Sequence, residues 1–166
     1  SGNLQRIVLP EGDDARMIEA AVTISQKKLA KLIVLGNAEE ITANLNAGGA
    51  DMSMIEVIAP ESASNLEEYA ELFYELRKHK GVTKEDAMKV VADVMYYGVM
   101  MVKAGDADGM VAGAAHSSSD TIRPALQIVK SSKGIKTISS VFFMSRGEEL
   151  YLFSDCALNI DPSPEE

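Results

Sequence analysis

The stretch DADGMVAGAAHSSSDTIRPALQIVK, residues 106–130, decides how this chain is read. Residues 109–112 are small and apolar, as in a buried strand. Residues 113–120 form a loop of small and hydroxylated side chains, and a helix follows whose first turn carries Thr121, Arg123 and Pro124. A strand, short loop and helix in this order bring backbone N–H groups, the positive end of a helix dipole and several hydroxyls to one point, where anions bind. An arginine in the first turn adds a planar fork able to hold two phosphate oxygens. Pro124 fits an early helical position because no N–H is needed there. A plainer reading of the same residues is also open, in which Asp120 or Ser119 caps the helix and Arg123 is an ordinary surface charge. A cation placed where the dipole disfavours it favours the anion-binding reading.

Upstream of this stretch, strand and helix patterns alternate. Residues 6–10 (RIVLP) read as a strand, 11–14 as a turn with capping residues, and 15–29 as a helix with Met17, Ala20, Ala21 and Ile24 on one face. KLIVLG, residues 31–36, is a continuous apolar run suited to a strand buried on both faces of a parallel sheet. A short helix over 38–46, a strand over 55–60, a helix over 65–80 and a long helix from 83 or 84 to 104 complete the approach. In the last of these Met88, Val91, Met95, Val99 and Val102 supply the apolar face, with methionine as adaptable core filler. Downstream, 137–144 and 150–153 read as the strands of a β-hairpin. Pro162-Ser163-Pro164-Glu165-Glu166 has the cap, proline and acids of a helix start with no helix after it, as expected of part of a longer polypeptide.

Composition narrows the function. With 46% hydrophobic and 25% charged residues over 166 positions, a globular α/β fold with its own core is expected. No apolar run is long enough to span a bilayer, so a soluble, intracellular protein without a membrane partner is expected. The net charge of −9 argues against nucleic-acid binding, whose footprint is basic, yet an acidic protein still binds an anion if its few cations are focused in a cleft. The arginines are Arg6, Arg16, Arg77, Arg123 and Arg146. Arg77 opens the cluster RKHK at a helix C-terminus, where the dipole alone accounts for it. His79 and His116 match no metal spacing, so no metal site is expected; His116 adjoins the hydroxyl loop and is a candidate ligand contact. Cys156, the single cysteine, reads as a small buried hydrophobe.

Taken with the blocks IVLPEGDDARMIEAA, ELRKHKG, DADGMVAGAAHSSSDTIRPALQIVK and LFSDCALNIDPSPEE, the sequence resembles the phosphate acetyltransferase (phosphotransacetylase) family over nearly its whole length. The resemblance implies an acyltransferase that interconverts acetyl phosphate plus coenzyme A with acetyl-coenzyme A plus phosphate. Coenzyme A is then a substrate, and no tightly bound cofactor is implied. It further implies a three-layer α/β/α fold with a mostly parallel sheet, akin to the isocitrate and isopropylmalate dehydrogenases, in a cytoplasmic homodimer of acetate metabolism. Residue by residue, Arg123 matches the family's substrate-binding arginine. Arg77 matches an arginine implicated in holding coenzyme A, and Ser117, Ser118 and Thr121 match hydroxyl positions lining the anion pocket.

Family members are about twice this length, and their catalytic serine, arginine and aspartate lie in the other half. The resemblance therefore implies a truncated chain, inactive alone, with 3–145 forming an incomplete N-terminal domain and 146–166 the hairpin and the start of a second. No catalytic role is assigned to Ser145, Arg146 or Asp155. Two relatives remain as alternatives: the acetyl-coenzyme A-sensing domain fused to some malic enzymes, and phosphate butyryltransferase.

Overall fold

Leu32, Ile33, Val34 and Leu35 follow one another without a polar residue, so β2 (Lys31–Leu35) has no face to offer water and is stable only when covered on both sides. The computed structural model, which describes residues 3–132, 134–135, 137–156, 158–160 and 163, shows this cover. β2 lies between β1 (Arg6–Leu9) and β3 (Ile55–Ile58), and β4 (Gly109–Met110) lies on the far side of β1. All pairs are parallel, with Val8 opposite Ile33 and Met110, and Val34 opposite Val57.

The period of two along the strands sends alternate side chains to two cores. Leu9, Leu32, Val34 and Ile55 pack against α1 (Ala15–Gln26) and α2 (Ala38–Ala47), through Met17, Ala21, Ile41 and Leu45. Val8, Ile33 and Leu35 face the opposite layer, which is built from α3 (Leu66–Arg77), α4 (Lys84–Val91), α5 (Val94–Ala104) and α6 (Ser118–Ile128). Tyr69, Phe73, Tyr97, Met100 and Ile128 fill that side. Each such apolar side chain contributes about 1.5–3 kcal/mol on burial. The expected α/β fold with a mostly parallel sheet is therefore present, in three layers.

Several boundaries differ from the sequence reading, each for a local reason. α1 stops at Gln26 rather than 29 because Lys28 turns left-handed at φ 51° and the N–H of Leu29 closes on the Ile24 carbonyl. The long helix expected over 83–104 is two helices. Asp93 takes extended backbone between them, and its carboxylate accepts the N–H groups of Met95 and Tyr96 as the cap of α5. Both helices keep the same buried face, so the apolar spacing hid the break. The helix expected over 65–80 ends at Arg77, with 78–80 as a 3₁₀ turn into Gly81.

The chain divides into two compact units, Ser1–Val129 and Lys130–Glu166. Both strands of the hairpin, β5 (Val141–Arg146) and β6 (Glu149–Ser154), lie in the second unit; the first begins later and is shorter than the spacing suggested, and the second extends one residue further at each end. They pair antiparallel around Gly147, and Phe143, Leu150 and Leu152 are exposed. Below them the Asp155 carboxylate accepts the Ser140 hydroxyl at 2.6 Å and the Asn159 amide at 2.6 Å. Cys156 is half-buried, not fully buried, and its N–H and Sγ both lie on the Ser140 hydroxyl, at 3.2 and 3.3 Å. The expected helix start at 162–166 lies outside the described residues, apart from Ser163.

Candidate functional site

Strand order β3-β2-β1-β4 means that the chain winds outward from β1 to β3 and then returns to the other side of β1. The loops leaving β1 and β4 therefore diverge, and a crevice opens between them at the carboxyl ends of the strands, where ligands bind in open α/β sheets. The loop after β4 stands on one side, and the turn after β1, which Glu11 ties to that loop, stands on the other.

That turn supplies Glu11, whose side chain has no exposed surface. Its Oε2 accepts the N–H groups of Gly113 at 2.9 Å and Ala114 at 2.8 Å, and its Oε1 those of Ala115 and His116, each at 2.9 Å. The Nδ1 of His116 lies 2.8 Å from the same Oε1. Burial pushes the carboxyl group up, but these N–H groups and the imidazole outweigh it and hold Glu11 at about 2, so it is ionised. Gly113 stands at φ 107°, which only glycine adopts without strain, and this lets successive N–H groups turn toward one carboxylate. Arg16 adds a second tie, donating to the Asp14 carboxylate at 2.6 Å and to the Ala114 carbonyl at 2.5 Å.

This corrects the sequence reading of the loop. Its N–H groups do not stand open to a ligand; an internal anion already occupies them, as buried N–H groups require a partner. Those left over among the described residues are at the start of α6, on Ser117, Ser118 and Ser119.

The helix also begins earlier than expected, at Ser118 with Ser117 as its cap, instead of at Asp120 or Ser119. The Ser117 hydroxyl accepts the Asp120 N–H at 3.2 Å and donates to the Asp120 carboxylate at 2.7 Å. Thr121 donates its hydroxyl to the Ser117 carbonyl at 3.0 Å. Arg123 and Pro124 consequently sit in the second turn, beyond the reach of the helix dipole, and Pro124 lies inside the helix.

Arg123 lies beside the loop after β4, against the start of α5. With Asp93, Tyr96, His116 and Asp120 it lines a cavity of about 160 Å³. Its guanidinium donates once, to the Ser119 hydroxyl at 3.2 Å, and stands 4.0 Å from the Asp120 carboxylate, with 57% of the side chain exposed. An ion pair this long and this exposed neutralises little charge. Most of the five guanidinium donors remain free for another acceptor. Ser118 and Ser119 border Arg123 on its other side, in a shallower hollow with Ile122 and Leu126.

Arg77 ends α3, and its Nε is buried without a hydrogen-bond partner. Burial raises the Tyr96 phenol, while the charges of Arg123 and Arg77 pull against that rise; both cations therefore bear on one ring. Tyr96 itself donates to the Gln127 carboxamide at 3.1 Å and packs edge-on against Phe73. Of the five residues singled out from sequence, Arg123 lines the cavity and Ser118 the hollow on the other side of Arg123, while Arg77 is linked to the cavity only through Tyr96. Ser117 and Thr121 spend their hydroxyls on the helix start. Glu11, Asp93 and Tyr96 were missed as site residues. An acid directly after the first strand of a parallel sheet was the available signal for Glu11, and it read as a cap instead.

A larger cavity of about 430 Å³ lies beyond β3, with Ser62, Ser64, Asn65 and Tyr97 among its lining residues and no cation. It lacks the charge to select an anion. Among the described residues no cluster of three or more His, Cys, Asp or Glu forms a metal site, and no helix is long and apolar enough to cross a membrane.

Fold and site together define an open α/β domain with an arginine-bearing cavity between the loop after β4, the start of α6 and the start of α5. The family model described as phosphate acetyl/butaryl transferase matches residues 1–166, and the chain belongs to this family. It is 46% identical over 170 residues to a phosphate acetyltransferase of Thermoanaerobacterium thermosaccharolyticum, covering 99% of this chain and 51% of that protein. Among solved structures it is similar to a phosphotransacetylase from Streptococcus pyogenes, with a TM-score of 0.87 and 46% identity over 98% of this chain and 50% of that one. The EutD phosphotransacetylase from Staphylococcus aureus gives a TM-score of 0.85 and 42% identity, covering 98% and 49%. The chain thus spans about half the length of each of these relatives.

Proposed function

We propose that this chain supplies the phosphate-anchoring wall of an acetyltransferase that interconverts acetyl phosphate plus coenzyme A with acetyl-coenzyme A plus phosphate. The carrying observation is Arg123, an under-neutralised guanidinium lining a cavity between the start of α5 and the start of α6 in a family member. In the forward direction a thiolate sulfur attacks the acetyl carbon, a carbon–sulfur bond forms, and the carbon–oxygen bond to phosphorus breaks with its electron pair on the leaving phosphate. Preorganised cations at the phosphate stabilise that developing charge. Arg123 has this role, the hydroxyl of Ser118 and the N–H groups of Ser118 and Ser119, beside Arg123, assist, and Arg77 holds coenzyme A. Ser117 and Thr121 act by fixing the start of α6.

Deprotonation of the thiol is given to the part of the family's length outside this chain, so the 166 residues alone turn over no substrate. The same reading carries a cytoplasmic homodimer and coenzyme A as substrate, not as a resident cofactor. The names of the relatives favour acetyl over butyryl transfer. In a full-length protein bearing this N-terminal half, Arg123→Ala is expected to raise KM for acetyl phosphate or coenzyme A and lower kcat, losing about 2–4 kcal/mol of transition-state stabilisation. Unchanged kinetics would remove Arg123 from the site.

A further inference from the structure

Glu11 makes five hydrogen bonds, all to residues 102 to 105 positions further along the chain. Four hold loop backbone and explain why a carboxylate is buried there. The fifth, to the His116 ring, is not needed for that purpose. A carboxylate ionised down to about pH 2 only accepts, so the Nδ1 facing it carries the hydrogen. The ring nitrogen left over is Nε2. The ring is 32% exposed and lines the same cavity as Arg123. A buried acid behind Nδ1, a fixed tautomer and a second nitrogen free of that acid, on a ring that lines the cavity, are the components of a histidine that transfers protons.

The chemistry of the leaving group calls for such a histidine. When the carbon–oxygen bond of acetyl phosphate breaks, a dianionic phosphoryl group would depart as trianionic phosphate, so a proton must reach it. Resting on the reading of function above, we propose that His116 is the catalytic residue that gives this proton from Nε2, and that Glu11 is the positioning residue that holds the imidazole with Nδ1–H turned away from the substrate. In the forward direction the Nε2–H bond breaks, an O–H bond forms on the departing phosphate, and a neutral imidazole remains with its Nδ1–H on Glu11. In reverse the neutral Nε2 takes the proton from hydrogen phosphate as its oxygen attacks the thioester carbon. The charged and titratable groups around the ring are Glu11 after β1, Arg16 on α1, Asp93 and Tyr96 on α5, and Asp120 and Arg123 on α6.

The test has two arms. In a full-length protein carrying this sequence, His116→Ala is expected to lower kcat by roughly 10²–10⁴-fold with KM for acetyl phosphate kept within about threefold. Added imidazole restores part of the lost rate, and the limb of the kcat–pH profile that reports a protonated group disappears. A rate within about threefold of wild type would overturn the proposal, as would a loss with neither imidazole rescue nor a changed pH profile, which is the mark of a structural role. In the second arm, ¹⁵N NMR of the 166-residue chain reads the His116 tautomer. Nδ1–H is expected in the wild type and Nε2–H in Glu11→Gln; Nε2–H in the wild type would remove Glu11 from its positioning role. If the wild-type full-length protein consumes no acetyl phosphate with coenzyme A, the reading of function falls and the proton-transfer step with it, while the tautomer still decides the Glu11–His116 pair.

Discussion

Glu11→Gln makes the sharpest prediction about stability. The substitution keeps the shape of the side chain but removes its charge, and it turns an NH₂ toward two of the four N–H groups that the carboxylate now accepts. The magnitude follows from proton linkage. Glu11 titrates at about 2 in the folded chain against an ordinary 4.5, so its ionised form favours folding by roughly 3 kcal/mol. Because the folded value is the lower one, this contribution is complete above about pH 4.5 and is lost as the pH falls toward 2. The glutamine variant has no such titration. Urea unfolding followed by tyrosine fluorescence reports mainly on the first unit, since Tyr69, Tyr74, Tyr96 and Tyr97 lie in Ser1–Val129 and only Tyr151 lies outside it. The stability gap between wild type and variant is expected to be widest at pH 6–7 and to close by roughly 3 kcal/mol on the way to pH 2. A gap that stays constant from pH 6 to pH 2 would refute the reasoning, because Glu11 would then not be an ionised partner of the loop.

Other expectations follow from single contacts. Gly12→Ala places a Cβ 2.6 Å from the Leu35 carbonyl oxygen and 2.5 Å from the Ile41 side chain, and is expected to lower stability by about 1–3 kcal/mol in urea titration; an unchanged midpoint would show that the turn after β1 is slack. Asp93→Ala removes the cap of α5 and is expected to cost about 1 kcal/mol in thermal unfolding, whereas no loss would mean that water caps the helix equally well. On the hairpin, Phe143 and Leu152 face each other across the strands and are 73% and 60% exposed. The double change Phe143→Ser, Leu152→Ser is expected to reduce binding of an apolar dye and self-association in sedimentation, and equal behaviour of both proteins would show that this patch is not the sticky surface.

The parallel pairing of β1 and β2 was legible because a helix joins them and Leu32–Leu35 is a continuous apolar run, which belongs to a sheet covered on both faces. Arg123 was legible as a candidate because arginines are scarce in this chain and it stands by a helix start. The break at Asp93 was not, since the residues on either side keep one apolar stripe and a single capping carboxylate makes the difference. The state of the hydroxyl loop was also hidden. Its N–H groups meet a partner about a hundred residues away, and no local pattern says that a glutamate after β1 will fill the space a ligand was expected to take. The same long-range pairing moved the helix start forward to Ser118, which carried Arg123 out of the first turn and left its own charge, not the dipole, as the source of attraction.

Calorimetric titration of the 166-residue chain with acetyl phosphate, set beside Arg123→Ala, tests the central claim most directly. Saturable binding to the wild type, weakened roughly tenfold or more in the variant and lost in high salt, is the expected result. Equal affinity in both proteins, or no binding to either, would contradict a phosphate-anchoring role for the cavity that Arg123 lines.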